Sequence, residues 1–111
     1  MKLHNQAPKR DIGILYEDER VIVINKPAGI SMHAKNAHDD TETVESIFRS
    51  KLAKNDPLRG GIVHRIDKNT SGVVIMAKTI DMLEFLQRQF AERKVDKKYL
   101  ALVWGHMKHP R

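Results

Sequence analysis

A carboxylate at position 67 stands between two short apolar runs, 62–66 and 73–77. Arg65 lies two residues before it and the polar cluster Lys68-Asn69-Thr70-Ser71-Gly72 follows it. Both runs are β-branched and bounded by Gly and turn-forming residues, which predicts buried strands. Positions i and i+2 share one face of a strand, so Arg65 and Asp67 are expected to point the same way. A carboxylate held beside a cation at the mouth of a rigid element is placed to be a reactive group. The residues alone favour a plainer reading. An Asp before a polar turn is most often a side-chain cap for that turn.

Other constellations are weaker. Ser71, His64 and Asp67 are near in sequence, but without a G-x-S-x-G turn they do not make a hydrolase triad. His33 and His38 lie on a loop of residues 31–40, where no Cys or carboxylate completes a zinc-like spacing. They are read as loop or RNA-facing residues, and no metal site is expected. His106 and His109 read as a polar tail. There is no G-x-G-x-x-G and no P-loop, so no nucleotide or flavin cofactor is expected.

Charge narrows the partner. Lys and Arg number 20 against 14 acidic residues, a net charge of +6. That surplus favours an anionic partner, RNA before a membrane surface, because no basic amphipathic helix with a large apolar face is present. No run of about 18 apolar residues is long enough to span a membrane. The first ten residues have no apolar core of a secretory signal, and the chain has no Cys. Both fit a reducing, cytoplasmic setting.

The elements that would position Asp67 follow in order. Residues 1–11 are polar and are expected to be a flexible segment. Runs 12–16 and 21–25 flank Glu17-Asp18-Glu19-Arg20, a hairpin with a charged turn. Lys26-Pro27-Ala28-Gly29 then stops the second strand. Asp39 or Asp40 is expected to cap a helix reaching residue 53, since Val44, Ile47, Phe48 and Leu52 form one apolar stripe. Thr79 is expected to cap a second helix, through residue 93, with Leu83, Leu86 and Phe90 on its core face and Met82 and Phe85 beside them. Arg88, Arg93, Lys94, Lys97 and Lys98 form a basic cluster at its end, suited to the helix dipole and to a phosphate track. Residues 98–105 read as a last strand, with Tyr99, Ala101 and Val103 on one face. The expected fold is α+β, a mixed, mainly antiparallel sheet with two helices in the order β-β-α-β-β-α-β. Residues 12–111 form its single domain, and roughly 65% of the unfolded surface is buried.

The motif His64-Arg65-Ile66-Asp67-Lys68-Asn69-Thr70-Ser71-Gly72, followed by an apolar run and Ala77-Lys78, resembles the H-R-L-D-x-x-T-S-G signature of the RluA family of pseudouridine synthases. Ile66 replaces the usual Leu. The strand ending in Lys26-Pro27-Ala28-Gly29 is similar to that family's K-P-x-G motif. Lys97, Tyr99, Ala101, Val103 and Gly105 match its K-x-Y-x-A-x-V-x-G motif.

This resemblance reverses the reading of Asp67. It implies that the residue is the catalytic carboxylate for converting uridine in ribosomal or transfer RNA to pseudouridine, with no cofactor. Attack on the ribose, help in its deprotonation and addition to the base all remain open as its role. It implies that Tyr99, the second catalytic residue, stacks on the uracil. Arg65 would help fill the space left by the turned-out nucleotide. Lys26 would prop the wall of the site. Lys26, His64, Lys97 and Lys98 join Arg65 on the RNA-binding side. Extruding a base costs a few kcal/mol, which phosphate contacts must offset.

The resemblance covers residues 14–105. The family's further G-R-x-H-Q-I-R stretch has no counterpart, so residues 12–111 are expected to be the N-terminal part of a synthase domain, with its C-terminal part missing. An open sheet edge is expected to invite self-association. The rival expectation is a non-catalytic RNA-binding fragment of such an enzyme.

Overall fold

A computed structural model describes residues 12–95. The expected flexible segment 1–11 and the expected strand 98–105 lie outside the described residues. Three strands, β1 (Gly13–Glu17), β2 (Val21–Lys26) and β3 (Gly72–Ala77), form an antiparallel sheet in the order β1-β2-β3. Two helices, α1 (Val44–Phe48) and α2 (Ile80–Ala91), complete the α+β fold.

The β1–β2 hairpin forms where the charged turn was expected, and Asp18 closes it. Its Oδ1 accepts the backbone N–H groups of Arg20 (2.8 Å) and Val21 (2.9 Å), while Oδ2 accepts the Tyr16 hydroxyl (2.8 Å). Register advances two residues on β1 but one on β2 between the pairs Ile14–Ile24 and Tyr16–Val23, so Leu15 is the extra residue of a bulge.

The two faces of the sheet carry different partners. Ile22 and Ile24 of β2 and Val74 and Met76 of β3 are buried on one face. There they meet Ile30, Met32, Val44, Phe48, Leu52 and Ile66 in the main core. Each such fully buried aliphatic side chain contributes about 1.5–3 kcal/mol. The other face is covered by α2, whose Leu83 and Leu86 pack with Ala77 against Val21, Val63 and Ile75. Thr79 caps α2 as expected, its Oγ1 accepting the N–H of Met82 at 3.3 Å.

Two expectations differ from the fold. The first helix is not capped by Asp39 or Asp40. Thr43 is its N-cap, in a capping box with Ser46 (Ser46 N–H to Thr43 Oγ1, 3.0 Å; Thr43 N–H to Ser46 Oγ, 2.8 Å). The next two N–H groups, of Val44 and Glu45, donate to the carbonyls of Ser31 and Met32. Asp39 instead folds its own loop, accepting from Lys35 and Thr41 N–H. After Phe48 the chain tightens into a 3-10 turn, Arg49–Lys51. The apolar stripe was correctly placed, with Val44, Phe48 and Leu52 buried.

The second difference is the run 62–66. It makes one bridge, Ile62 to Met76, and no strand. The N–H of Ile75, the next outward donor on β3, is bound by the side chain of His64 instead of by backbone.

Candidate active site

The loop that carries Asp67 is held from the end of β2. Lys26 is completely buried, and its Nζ donates to the carbonyls of Pro27 (3.0 Å), Lys68 (3.0 Å) and Thr70 (2.7 Å). An ammonium has three donors, and a buried cation is tolerated only when such groups are satisfied. Gly29, at φ +96°, adds a bond from its own N–H to the Lys68 carbonyl at 2.8 Å. The Pro and Gly after β2 thus turn the chain so that its main chain braces residues 68–70. Lys26, expected to prop the wall of the site and to join the RNA contacts, is enclosed by protein. It is a brace.

Residues 64–67 alternate. His64 is half-buried, Arg65 exposed, Ile66 buried in the main core and Asp67 exposed. Ile66 therefore anchors the segment while its two charged neighbours face outward, as the shared-face expectation requires. His64 faces inward. Its Nε2 accepts the N–H of Ile75 at 3.2 Å, and its ring stacks on Phe90 of α2 with centroids 4.5 Å apart and planes 14° from parallel.

The carboxylate of Asp67 does not cap its turn. That turn is closed by main chain, Thr70 N–H to the Asp67 carbonyl at 3.0 Å. Among the described residues neither the Asp67 carboxylate nor the Arg65 guanidinium has a hydrogen-bond or ion-pair partner. The other turn aspartates behave differently. Asp18, Asp39 and Asp56 each accept two backbone N–H groups; these bonds lead in holding Asp18 and Asp56 below the usual carboxylate range, and Asp39 is lowered to about 2. In the case of Asp39 the Thr41 side chain is the leading cause. Asp67 has the sequence setting of a cap and is not used as one.

Tyr99, Lys97 and Lys98 lie outside the described residues, so of the expected site residues the structure brings together Lys26, His64, Arg65 and Asp67. His33 bonds the carbonyl of its neighbour Ala34 through Nδ1 (2.9 Å). Two features were not read from sequence. One is Phe90 as the platform for His64, whose signal was the helical spacing that put Phe90 on the core face. The other is Arg93, which adopts φ +59° just after α2.

Comparison with known proteins now bears on the site. A family model described as RNA pseudouridylate synthase matches residues 20–110. The chain belongs to the RNA pseudouridylate synthase family. Its similarity to ribosomal large subunit pseudouridine synthase D of Borreliella burgdorferi is 46% identity over 100 residues, covering 86% of this chain and 31% of that protein. The corresponding synthase of Xylella fastidiosa is 42% identical over 103 residues, with 91% and 31% covered. Among solved structures, human RNA pseudouridylate synthase domain containing 4 superposes with a TM-score of 0.54 at 31% identity, over 74% of this chain and 30% of that one. The chain thus spans about a third of the length of the relatives it matches. In this member of the family the described sheet and helices carry the segment that holds Asp67.

Proposed function

We propose that this protein takes part in RNA pseudouridine synthesis, with Asp67 as its catalytic carboxylate. In that isomerisation the bond from uracil N1 to ribose C1′ breaks and a bond from uracil C5 to C1′ forms. The hydrogen leaves C5 and N1 gains a proton, so no oxidant, metal or cofactor enters the balance. The observation that carries the reading is an outward-facing Asp67 whose carboxylate caps nothing among the described residues, within a chain of this family. Arg65, exposed two residues earlier, is proposed to occupy the space vacated by the turned-out nucleotide. Tyr99 is proposed as the ring against which the uracil stacks, and Lys97 and Lys98 as phosphate contacts.

Residues 12–111 are proposed as a portion of the catalytic domain. Ribosomal RNA is the proposed substrate, because several relatives of 37–46% identity are named as ribosomal large subunit synthases. The proposed setting is the cytoplasm, where that RNA is made and modified; among the described residues no helix is long and apolar enough to cross a membrane. The net charge of +6 suits binding to phosphate.

A second reading is RNA binding without turnover, for which the net charge of +6 suffices without any catalytic group. Release of tritium from RNA carrying [5-³H]uridine separates the two. Release by the native chain, abolished in Asp67→Asn while RNA binding persists, supports the enzyme. Binding with no release by the native chain supports the second reading.

A further inference from the structure

The run 62–66 starts as a fourth strand and stops after one rung, and a side chain occupies the place where it stops. The N–H of Ala77 donates to the Gly61 carbonyl at 2.8 Å, and Ile62 bridges Met76. Hydrogen-bonded pairs recur at every second residue of an antiparallel ladder. A continuing strand would therefore bring the Val63 carbonyl to the N–H of Ile75. It would then set Arg65 opposite Val73 and Asp67 opposite Ser71, drawing the carboxylate's backbone into the last rung of a tight hairpin. Instead the Ile75 N–H is bound by His64 Nε2 at 3.2 Å.

We propose that His64 is a positioning residue whose imidazole stands in for a backbone acceptor at the edge of β3, turning the chain away from the sheet just before Asp67. The inference rests on the proposed role of Asp67 and adds how that carboxylate is presented. Three features suit the task. Nε2 has a lone pair directed at the N–H only in the neutral ring that keeps its proton on Nδ1. The flat face lies on Phe90, so α2 fixes the plane of the imidazole. The neighbouring Ile66 is buried in the core, so the diverted segment is pinned on its far side too. An unpaired edge donator on β3 would otherwise be left for Val63 to claim.

Two substitutions separate acceptor from ring. His64→Gln keeps an oxygen at about the reach of Nε2 and loses the ring; His64→Phe keeps the stack and loses the acceptor. Amide exchange and chemical shifts are read by NMR on the isotope-labelled 111-residue chain. In His64→Phe the Ile75 amide is expected to exchange at least ~10-fold faster than in the native protein, and the Arg65 and Asp67 amide signals to move. In His64→Gln both are expected to return toward native values. An Ile75 amide equally protected in His64→Phe, or Asp67 signals that stay in place when that protection is lost, would overturn the proposal. Should His64→Phe fail to fold, His64→Gln decides alone, native-like protection of Ile75 supporting the proposal and its loss overturning it. Tritium release is measured on the same series. Where the native chain turns over RNA, His64→Phe is expected to lose ~10-fold or more in kcat with KM within about twofold, and His64→Gln to recover most of it. A native chain that releases no tritium removes the catalytic reading of Asp67 and leaves the exchange result to decide the role of His64.

Discussion

The ammonium of Lys26 lies 2.7 Å from the carbonyl oxygen of Thr70, a residue 44 positions later in the chain. This bond, with those to Pro27 and Lys68, joins the end of β2 to the loop after Asp67. The site is therefore set by main-chain carbonyls converging on one buried cation. Lys26→Met keeps the length and removes all three donors. Part of the loss is offset because a charge no longer has to be desolvated. The carbonyls left without a donor outweigh that gain, and the substitution is expected to cost about 2–4 kcal/mol. Urea denaturation of the two proteins measures this. An unchanged midpoint would show that the carbonyls find water without penalty.

Asp67 and Asp56 offer a comparison, because both stand immediately before a turn. The Asp56 carboxylate accepts the N–H groups of Leu58 (2.8 Å) and Arg59 (3.0 Å), whereas that of Asp67 caps nothing among the described residues. Asp56→Ala is expected to lower the melting temperature by several degrees, and Asp67→Ala to leave it within about 3 °C of native. Calorimetry of both variants tests the distinction. A larger drop for Asp67→Ala would return that residue to the role of a structural cap.

This distinction also marks how far the sequence could be read. The β1–β2 hairpin and α2 were legible because their determinants are local: a charged turn between apolar runs, and Thr79 ahead of a helical stripe. The start of α1 was not, because Ser31 and Met32, from a loop more than ten residues earlier, take the first helical N–H groups. The apolar run 62–66 has the composition of a strand, and no periodicity signals that His64 will take the Ile75 rung. Arg65 and Asp67 were expected to point the same way, and both are exposed, since alternation about the buried Ile66 survives without a ladder. Lys26 was expected to prop the wall of the site only through the family resemblance, since nothing in its local sequence marks it as buried. Its burial depends on a loop far along the chain that only the fold brings near.

Acid should destabilise the fold through several carboxylates that are held below their usual values. The Lys78 and Lys51 ammonium groups do this for Glu17, at 2.6 and 3.2 Å. Backbone donors do it for Asp18 and Asp56, and the Thr79 hydroxyl leads the effect on Asp81. Lowered values mean that the unfolded chain binds more protons than the folded one in this range. Their contribution is thus complete above about pH 4.5 and is lost as pH falls toward 2, where Asp39 titrates. Tyr16 has the opposite sign. Donating to Asp18 raises its value, so its contribution is present below pH 10 and disappears as pH rises through the raised value. Urea midpoints measured from pH 2 to 7 should climb and then level. A flat profile would mean that the exposed pairs are screened to nothing.

The outer edge of β1 carries Ile14, Leu15 and Tyr16, all about half exposed. Among the described residues β1 is an end strand of the sheet, and an end strand with apolar side chains is a template for pairing with another chain. Sedimentation velocity of the 111-residue chain is expected to show association rising with concentration. Leu15→Lys, which sets a charge on the bulge, is expected to weaken it about tenfold or more. Association that is indifferent to this substitution would place the contact elsewhere.

Arg93 ends α2 in a position that ordinarily suits glycine. The N–H of Lys94 donates to the Gln89 carbonyl (2.9 Å) and that of Arg93 to the Phe90 carbonyl (3.1 Å), the two bonds of a Schellman motif. The left-handed residue of that motif is Arg93, at φ +59°. A side chain there costs about 1–2 kcal/mol, and the greater freedom of glycine in the unfolded chain takes back part of the gain from removing it. Arg93→Gly is therefore expected to stabilise the protein by about 0.5–1 kcal/mol. The exposed guanidinium belongs to the basic cluster beyond α2, so the same variant is expected to bind RNA more weakly and with a shallower salt dependence, by about one charge. Urea denaturation and RNA titrations at several salt concentrations read the two effects separately. Stabilisation with unchanged RNA affinity would leave the backbone argument intact and take Arg93 out of the phosphate track.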